Sequence, residues 1–374
     1  MIIRNALTFQ EDGSFPKRDI KIKQGRFSRE GDGEVLDAEG LYAIPGLIDL
    51  HFHGCVGYDF CDGTPEALRA ITRYQCAAGI TAICPATMTY PEEKLAAICA
   101  NAAAWNEDGA ALVGIHLEGP FLSAAKKGAQ NGAWLRDPDV SFFWRLQEKA
   151  AGKIRLLDIA PELPGATDLI RRVSGCVSVS LAHTEADYET AVRAFQSGAC
   201  HVTHLYNAMP PFLHRSPGVV GAAIDTPQCR VELICDGVHV HPSVVRATFQ
   251  MFGDDRVILI SDSMMATGLP DGSYTLGGQP VSVHGNRCTL ADGTIAGSAS
   301  NLMECLRTAV LKMNVPLGSA VKAATVNPAK ALGIFSTYGS LAIGKRADLL
   351  LLDPSLRLVQ VVQGGRFVKE KITE

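Results

Sequence analysis

Short apolar runs rich in β-branched residues recur along the chain, and four of them lead into a residue that can bind metal or move a proton. ALVGIHLEG carries Glu118, CVSVSLAH ends at His183, ACHVTHLYN holds His204 and RVILISDS holds Asp262. Runs of this length, followed by turn or helix signals, read as strands. Helix-like stretches separate them. AIPGLIDLHFH precedes PEALRAITRYQCAAG, GITAICPATM precedes PEEKLAAICANAAAW, and ALVGIHLE precedes a long loop and a helix near residues 140–150. KIRLLDIAPE, CVSVSLAH, HVTHLYNA, VELICDGVHV with a helix opening at Pro242, and RVILISDS complete eight strand candidates. Strands alternating with helices predict a parallel sheet of the α/β class. The count of eight favours a closed (β/α)8 TIM-like barrel, in which all four residues would meet at one mouth.

The two ends follow another rule. Residues 1 to about 43 break into short apolar segments and turns (MIIRNALTF, DIKIKQGRF, EVLDAEG), which predicts hairpins. After Gly339 the style returns in GSLAIGKRADLLLLD and LRLVQVVQGGRFV, so residues 1–44 and 339–374 are expected to pair into one small β domain beside a barrel spanning 45–338. The stretch from about 274 to 297 predicts a β insertion late in the barrel.

Composition narrows the partners. A formal net charge of −4 offers no basic field for nucleic acid. No apolar run reaches a membrane span and the start lacks a signal-peptide pattern, so a cytoplasmic location is expected. The 11 cysteines include no CxxC pair and sit mostly in apolar runs, as small core residues do in a reducing compartment.

The chemistry is concentrated at strand ends. In His51-Phe52-His53 the two-residue period of a strand turns both imidazoles to one side, where they can share an ion. Together with Glu118, His183 and His204 they form a mixed imidazole and carboxylate set that suits zinc or iron better than magnesium or calcium. Asp262 is placed to take a proton from an activated water and return it to a leaving group; the competing reading is an N-cap to a following helix. His116, two residues before Glu118, either supports the ligands from behind or is a core histidine. His201 and His284 read as structural or solvent-facing.

HLEGPFLSAAKKGAQN, SLAHTEAD, THLYNAMPPFLHRSPG, CDGVHVHP and SDSMMATGLPDGSYTLGG, with the ending NPAKALG and GSLAIGKRADLLLLD, resemble the N-acetylglucosamine-6-phosphate deacetylases of the amidohydrolase superfamily over essentially the whole chain. PGLIDLHFHG is shared across the superfamily, whereas HLEGPF, THLYNAM and DGVHV together mark the deacetylases. The resemblance implies a barrel with a β-sandwich built from both termini. It also implies a metal held by Glu118, His183 and His204, a second bridged by Glu118 where His51 and His53 are kept, and Asp262 as acid/base. Substrate contacts carry over to Ala129 and Gln130, to Asn207 and Ala208, to Asp236, Gly237, Val238 and His239, and to Ile295, Ala296 and Gly297. Arg215 matches an arginine that reaches the phosphate, usually from the neighbouring subunit, which implies a homodimer. Gln130 stands where many members have histidine; it can donate and accept hydrogen bonds but cannot carry a proton.

The expected activity is hydrolysis of the acetamide of N-acetylglucosamine 6-phosphate to glucosamine 6-phosphate and acetate, using one or two zinc or iron ions per subunit. The galacto epimer is the alternative substrate. A branch that bridges two metals with a carboxylated lysine from the fourth strand is disfavoured, because Lys153 lies only at that strand's start. A non-catalytic scaffold is disfavoured because every expected ligand and Asp262 are present.

Overall fold

The protein is described here as a computed structural model covering residues 1–369. Its centre is a layer of eight parallel strands, which we label β1 (Leu47–Asp49), β2 (Ile80–Ile83), β3 (Ile115–Leu117), β4 (Ile154–Ile159), β5 (Ser178–Leu181), β6 (His201–Val202), β7 (Arg230–Ile234) and β8 (Val257–Ile260). Strands β3 to β8 pair in chain order as a six-stranded parallel sheet, and β1 pairs with β2. The short strand Ala111–Leu112 and the bridge of Ala86 to His116 carry β2 across to β3. Among the described residues no ladder joins β8 to β1. Beyond their ends, however, the Asp262 N–H donates to the His51 carbonyl at 3.0 Å and the His53 N–H to the Ser263 carbonyl at 2.7 Å. The layer therefore curls until its first and last strands meet at the carboxyl edge. Every residue of β8 is buried, as expected of a strand covered on both faces.

Helices follow the strands as the pattern predicts. The first, Pro65–Ala77, starts where Thr64 accepts a hydrogen bond from the Ala67 N–H and Pro65 supplies a preset φ; it buries Leu68, Ile71 and Cys76 toward the core. Helices Val140–Lys149 and Pro242–Phe252 occupy the two stretches singled out in the sequence. After β8 the chain makes a four-stranded antiparallel sheet (Gly272–Leu276, Gln279–His284, Arg287–Thr289, Ile295–Ser298) before its last three helices.

The termini share one eight-stranded sheet. Strand Leu349–Leu352 lies antiparallel to Tyr42–Pro45, so the two ends of the chain are neighbours. This pair is also the seam between two cores. Leu349, Leu351 and Ala43 point into a small cluster with Ile3, Ile22 and Phe27, while Leu350, Leu352 and Ile44 join the large core. The period of two explains why this strand is leucine throughout: both of its faces are buried. Simple hairpins do not account for the amino-terminal segment. Ile2–Thr8 pairs antiparallel with Lys17–Lys23 but parallel with Val35–Asp37 and Tyr42–Pro45, because the chain crosses over rather than turning back.

Among the described residues no helix is long and apolar enough to cross a membrane. Nine of the cysteines are buried, which agrees with small core residues; Cys176 is exposed and Cys200 half-buried.

Candidate metal centre and active site

Five strands deliver the polar groups to one mouth. Beyond β1 come His51 and His53, beyond β3 Glu118, beyond β5 His183, beyond β6 His204 and beyond β8 Asp262, all buried. Three of these have left-handed backbone: φ is 45° at His183, 30° at His204 and 49° at Asp262. Such conformations cost about 1–3 kcal/mol each outside glycine and gather where a site requires them. Here each ends a strand abruptly and brings its side chain into the mouth.

Glu118 is the hub. Its Oε1 lies 2.9 Å from His183 Nε2 and 3.4 Å from His204 Nε2, and those two nitrogens are 3.1 Å apart. Its Oε2 lies 3.3 Å from His53 Nε2 and 3.7 Å from His51 Nε2. Asp262 Oδ1 stands at 3.3 Å and 3.7 Å from the same two nitrogens. Two clusters able to hold an ion result in the mouth, Glu118 with His183 and His204, and His51 with His53 and Asp262; a third group, His51 with His116 and Glu232, lies beneath them. The His51 Nε2 and Glu118 Oε2 atoms have no hydrogen-bond partner among the described residues although both are buried. Leaving such atoms unsatisfied is costly, whereas a shared cation satisfies them together. The donor set, imidazole nitrogen with carboxylate oxygen, is that of zinc and iron sites.

The charges are consistent with that arrangement. Burial alone would raise the Glu118 carboxyl, but the His51, His183 and His204 imidazoles hold it well below the usual carboxylate range. Asp262 is likewise lowered, since the hydrogen bond from His53 and the charge of nearby imidazoles outweigh burial. His183 donates from Nδ1 to the Lys126 carbonyl at 2.8 Å, which leaves Nε2 facing Glu118.

The site opens into a cavity of about 510 Å³. His53, Glu118, His183, His204 and Asp262 lie at its floor, and Ala129, Gln130, Asn207, Ala208, His239, Ile295 and Gly297 line it. His239 is fixed by Asp236, whose Oδ2 is 2.7 Å from its Nδ1, and Asp236 also accepts from the Val238 and His239 N–H groups. Gly297 has φ 65°, and a Cβ there would sit 3.1 Å from the Asp262 carbonyl oxygen, so a side chain at this position would be strained and would crowd Asp262. Gly237, Val238 and Ala296 are not among the lining residues; Ala296 is buried in the core. Arg215 is exposed on the loop between β6 and the next helix, beside His214, outside this cavity.

Several uncertainties of the sequence are resolved by position. Asp262 does not cap a helix: the chain after it turns into the insertion. Lys153 donates from Nζ to the Ala102 and Ala103 carbonyls at a helix end, away from the mouth. His116 lies beneath the site, with Nδ1 at 3.0 Å from the Leu50 carbonyl and Nε2 at 2.8 Å from Asp158 Oδ1. His201 is buried against Glu232 and His284 is exposed. The acids below the mouth, Asp49, Asp158 and Glu232, were missed. A detectable signal existed: each interrupts an otherwise apolar strand (GLIDL, RLLDIA, RVELI), where a carboxylate needs a specific partner. Lys126, Lys127, Asp292 and Thr294 also line the cavity and were not singled out.

The amidohydrolase family profile matches residues 42–371. An N-acetylglucosamine-6-phosphate deacetylase of Bacillus subtilis (strain 168) is 38% identical over 371 residues, covering 97% of this chain and 93% of its own length. An N-acetylgalactosamine-6-phosphate deacetylase of Escherichia coli O157:H7 is 34% identical, covering 97% of this chain and 98% of its own. A variant of the N-acetyl-D-glucosamine-6-phosphate deacetylase of Mycobacterium smegmatis, solved in complex with N-acetyl-D-glucosamine-6-phosphate, superposes with a TM-score of 0.93 at 32% identity, covering 98% of both chains. Matched across nearly its full length by sequence and by fold, the chain belongs to the amidohydrolase family.

Proposed function

We propose that the protein removes the acetyl group from N-acetylglucosamine 6-phosphate by metal-dependent hydrolysis, yielding glucosamine 6-phosphate and acetate. The observation that carries this reading is the Glu118 hub with its ring of imidazoles and Asp262 at the floor of one cavity. Relatives named for this activity cover 97% and 98% of the chain. The E. coli relative makes the galacto epimer the second reading.

Glu118, His183 and His204 would hold one zinc or iron ion, and His51 and His53 would hold a second with Glu118 between them. A divalent ion at this place supplies Lewis acidity, polarising a carbonyl and making water more acidic. Asp262, kept ionised by its imidazole neighbours, accepts the proton of the attacking water. The water oxygen bonds to the acetyl carbon, the C–N bond breaks, and protonated Asp262 returns the proton to the departing nitrogen. Ala129, Gln130 and His239 would orient the sugar, with Asp236 holding His239 in place, while Ile295 and Gly297 would close over it; Gly237, Val238 and Ala296, away from the cavity lining, would act only through their neighbours. The Asn207 and Ala208 amides would take the phosphate. Arg215, exposed on its loop, would complete the phosphate site of a neighbouring copy in a homodimer; a guanidinium fork suits a phosphate dianion.

The same reading takes the curled layer as a closed (β/α)8 barrel over 45–338, with 1–44 and 339–374 as a β-sandwich domain; residues 370–374 lie outside those described. It places the enzyme in the cytoplasm. Asp262→Asn tests it: metal content stays at the wild-type level and turnover falls at least a thousandfold. Turnover within tenfold of wild type would remove Asp262 from the proton-transfer role.

A further inference from the structure

Glu232 lies entirely beneath the metal donors, on β7, and no step above uses it. It is fully buried, and its oxygens take three hydrogen bonds. Oε2 is 2.9 Å from His51 Nδ1 and 3.3 Å from the His204 backbone nitrogen, and Oε1 is 3.0 Å from His201 Nε2. With an imidazole nitrogen at each oxygen and a backbone N–H beside one of them, the carboxylate serves as an acceptor. An acceptor-only partner at Nδ1 requires the proton there. The lone pair of a neutral His51 is then on Nε2, the buried atom without a partner that faces Glu118 Oε2 and Asp262 Oδ1.

We propose that Glu232 is the positioning residue of the centre: it fixes the Nδ1–H tautomer of His51 and, through the same carboxylate, anchors the backbone at His204. One side chain thereby ties the histidine expected at the second ion to a ligand of the first. A carboxylate behind a metal-bound imidazole also makes that imidazole more basic, and removing such partners weakens metal binding by about 10–100-fold. Glutamine cannot replace it fully, since its amide has one acceptor oxygen where the carboxylate serves two imidazoles. The inference rests on the metal-site reading above.

The test uses full-length protein and zinc alone. In wild type labelled with ¹⁵N-histidine and loaded with zinc, His51 should show a protonated Nδ1 and a metal-bound Nε2. Competition with a chromophoric chelator should give zinc binding at least tenfold weaker in Glu232→Gln, with circular dichroism unchanged. A protonated Nε2 on His51 would overturn the proposal, as would a folded Glu232→Gln that binds zinc within twofold of wild type. If that variant does not fold, the wild-type tautomer decides alone. A wild type that binds no zinc overturns the metal-site reading itself, a result separate from either.

Discussion

Asp49 should make the metal-free protein less stable as pH rises through neutrality, and Asp49→Asn should abolish that effect. The residue ends β1, fully buried, with Oδ2 accepting from Ser261 Oγ at 2.5 Å and Oδ1 accepting from the His51 N–H at 3.3 Å. Burial pushes its carboxyl from 3.8 up to about 7, against the opposing pull of those hydrogen bonds. The folded state thus favours the protonated acid. Its contribution is full below the unfolded value of 3.8 and is lost as pH climbs through about 7. Between pH 5.5 and 8 the unfolded chain is ionised throughout while the folded carboxyl changes state, so the loss is about 2 kcal/mol. An amide keeps an acceptor for Ser261 and has no charge to desolvate. Urea unfolding in the presence of a chelator, at both pH values, measures the wild-type and Asp49→Asn midpoints; the difference between the two proteins isolates this group from the neighbouring histidines. The variant should gain about 2 kcal/mol on wild type in going from pH 5.5 to 8. Equal pH dependence in the two proteins would show that Asp49 does not titrate near neutrality in the folded state.

Two further outcomes follow from the proposed substrate contacts. Gln130 is buried and its Oε1 accepts from the Thr89 N–H at 2.7 Å, so Gln130→Ala both orphans a buried donor and removes a sugar contact. Loss of about 1–3 kcal/mol is expected, seen as a lower melting temperature together with a raised KM; an unchanged melting temperature would show the bond to be dispensable. Arg215→Ala should raise KM for the phosphorylated sugar at least tenfold and leave the unphosphorylated sugar unaffected. Equal effects on both would detach Arg215 from the phosphate.

The parallel layer was readable because each strand is a short apolar run closed by a turn, and because a buried strand needs no alternation. The site was readable for the same reason: polar residues at the ends of such runs must share one edge. The sequence was less informative where geometry departs from the regular period. His201 and His204 are three apart, yet the left-handed backbone at His204 lets one face Glu232 and the other Glu118, which no strand period predicts. Asp49, Asp158 and Glu232 stand inside apolar runs, and their partners come from strands distant in the chain. Pairing of Leu349–Leu352 with Tyr42–Pro45 joins segments some three hundred residues apart; their similar style suggested it, but only the structure gives the register.

One comparison tests substrate and chemistry together. Steady-state acetate release should be measured for N-acetylglucosamine 6-phosphate, its galacto epimer and the unphosphorylated gluco sugar, on protein of known metal content. kcat/KM should be at least a hundredfold higher for the phosphorylated gluco sugar than for the unphosphorylated one, with the gluco form preferred over the galacto. No acetate release from any of the three, with metal bound, would contradict the proposed function.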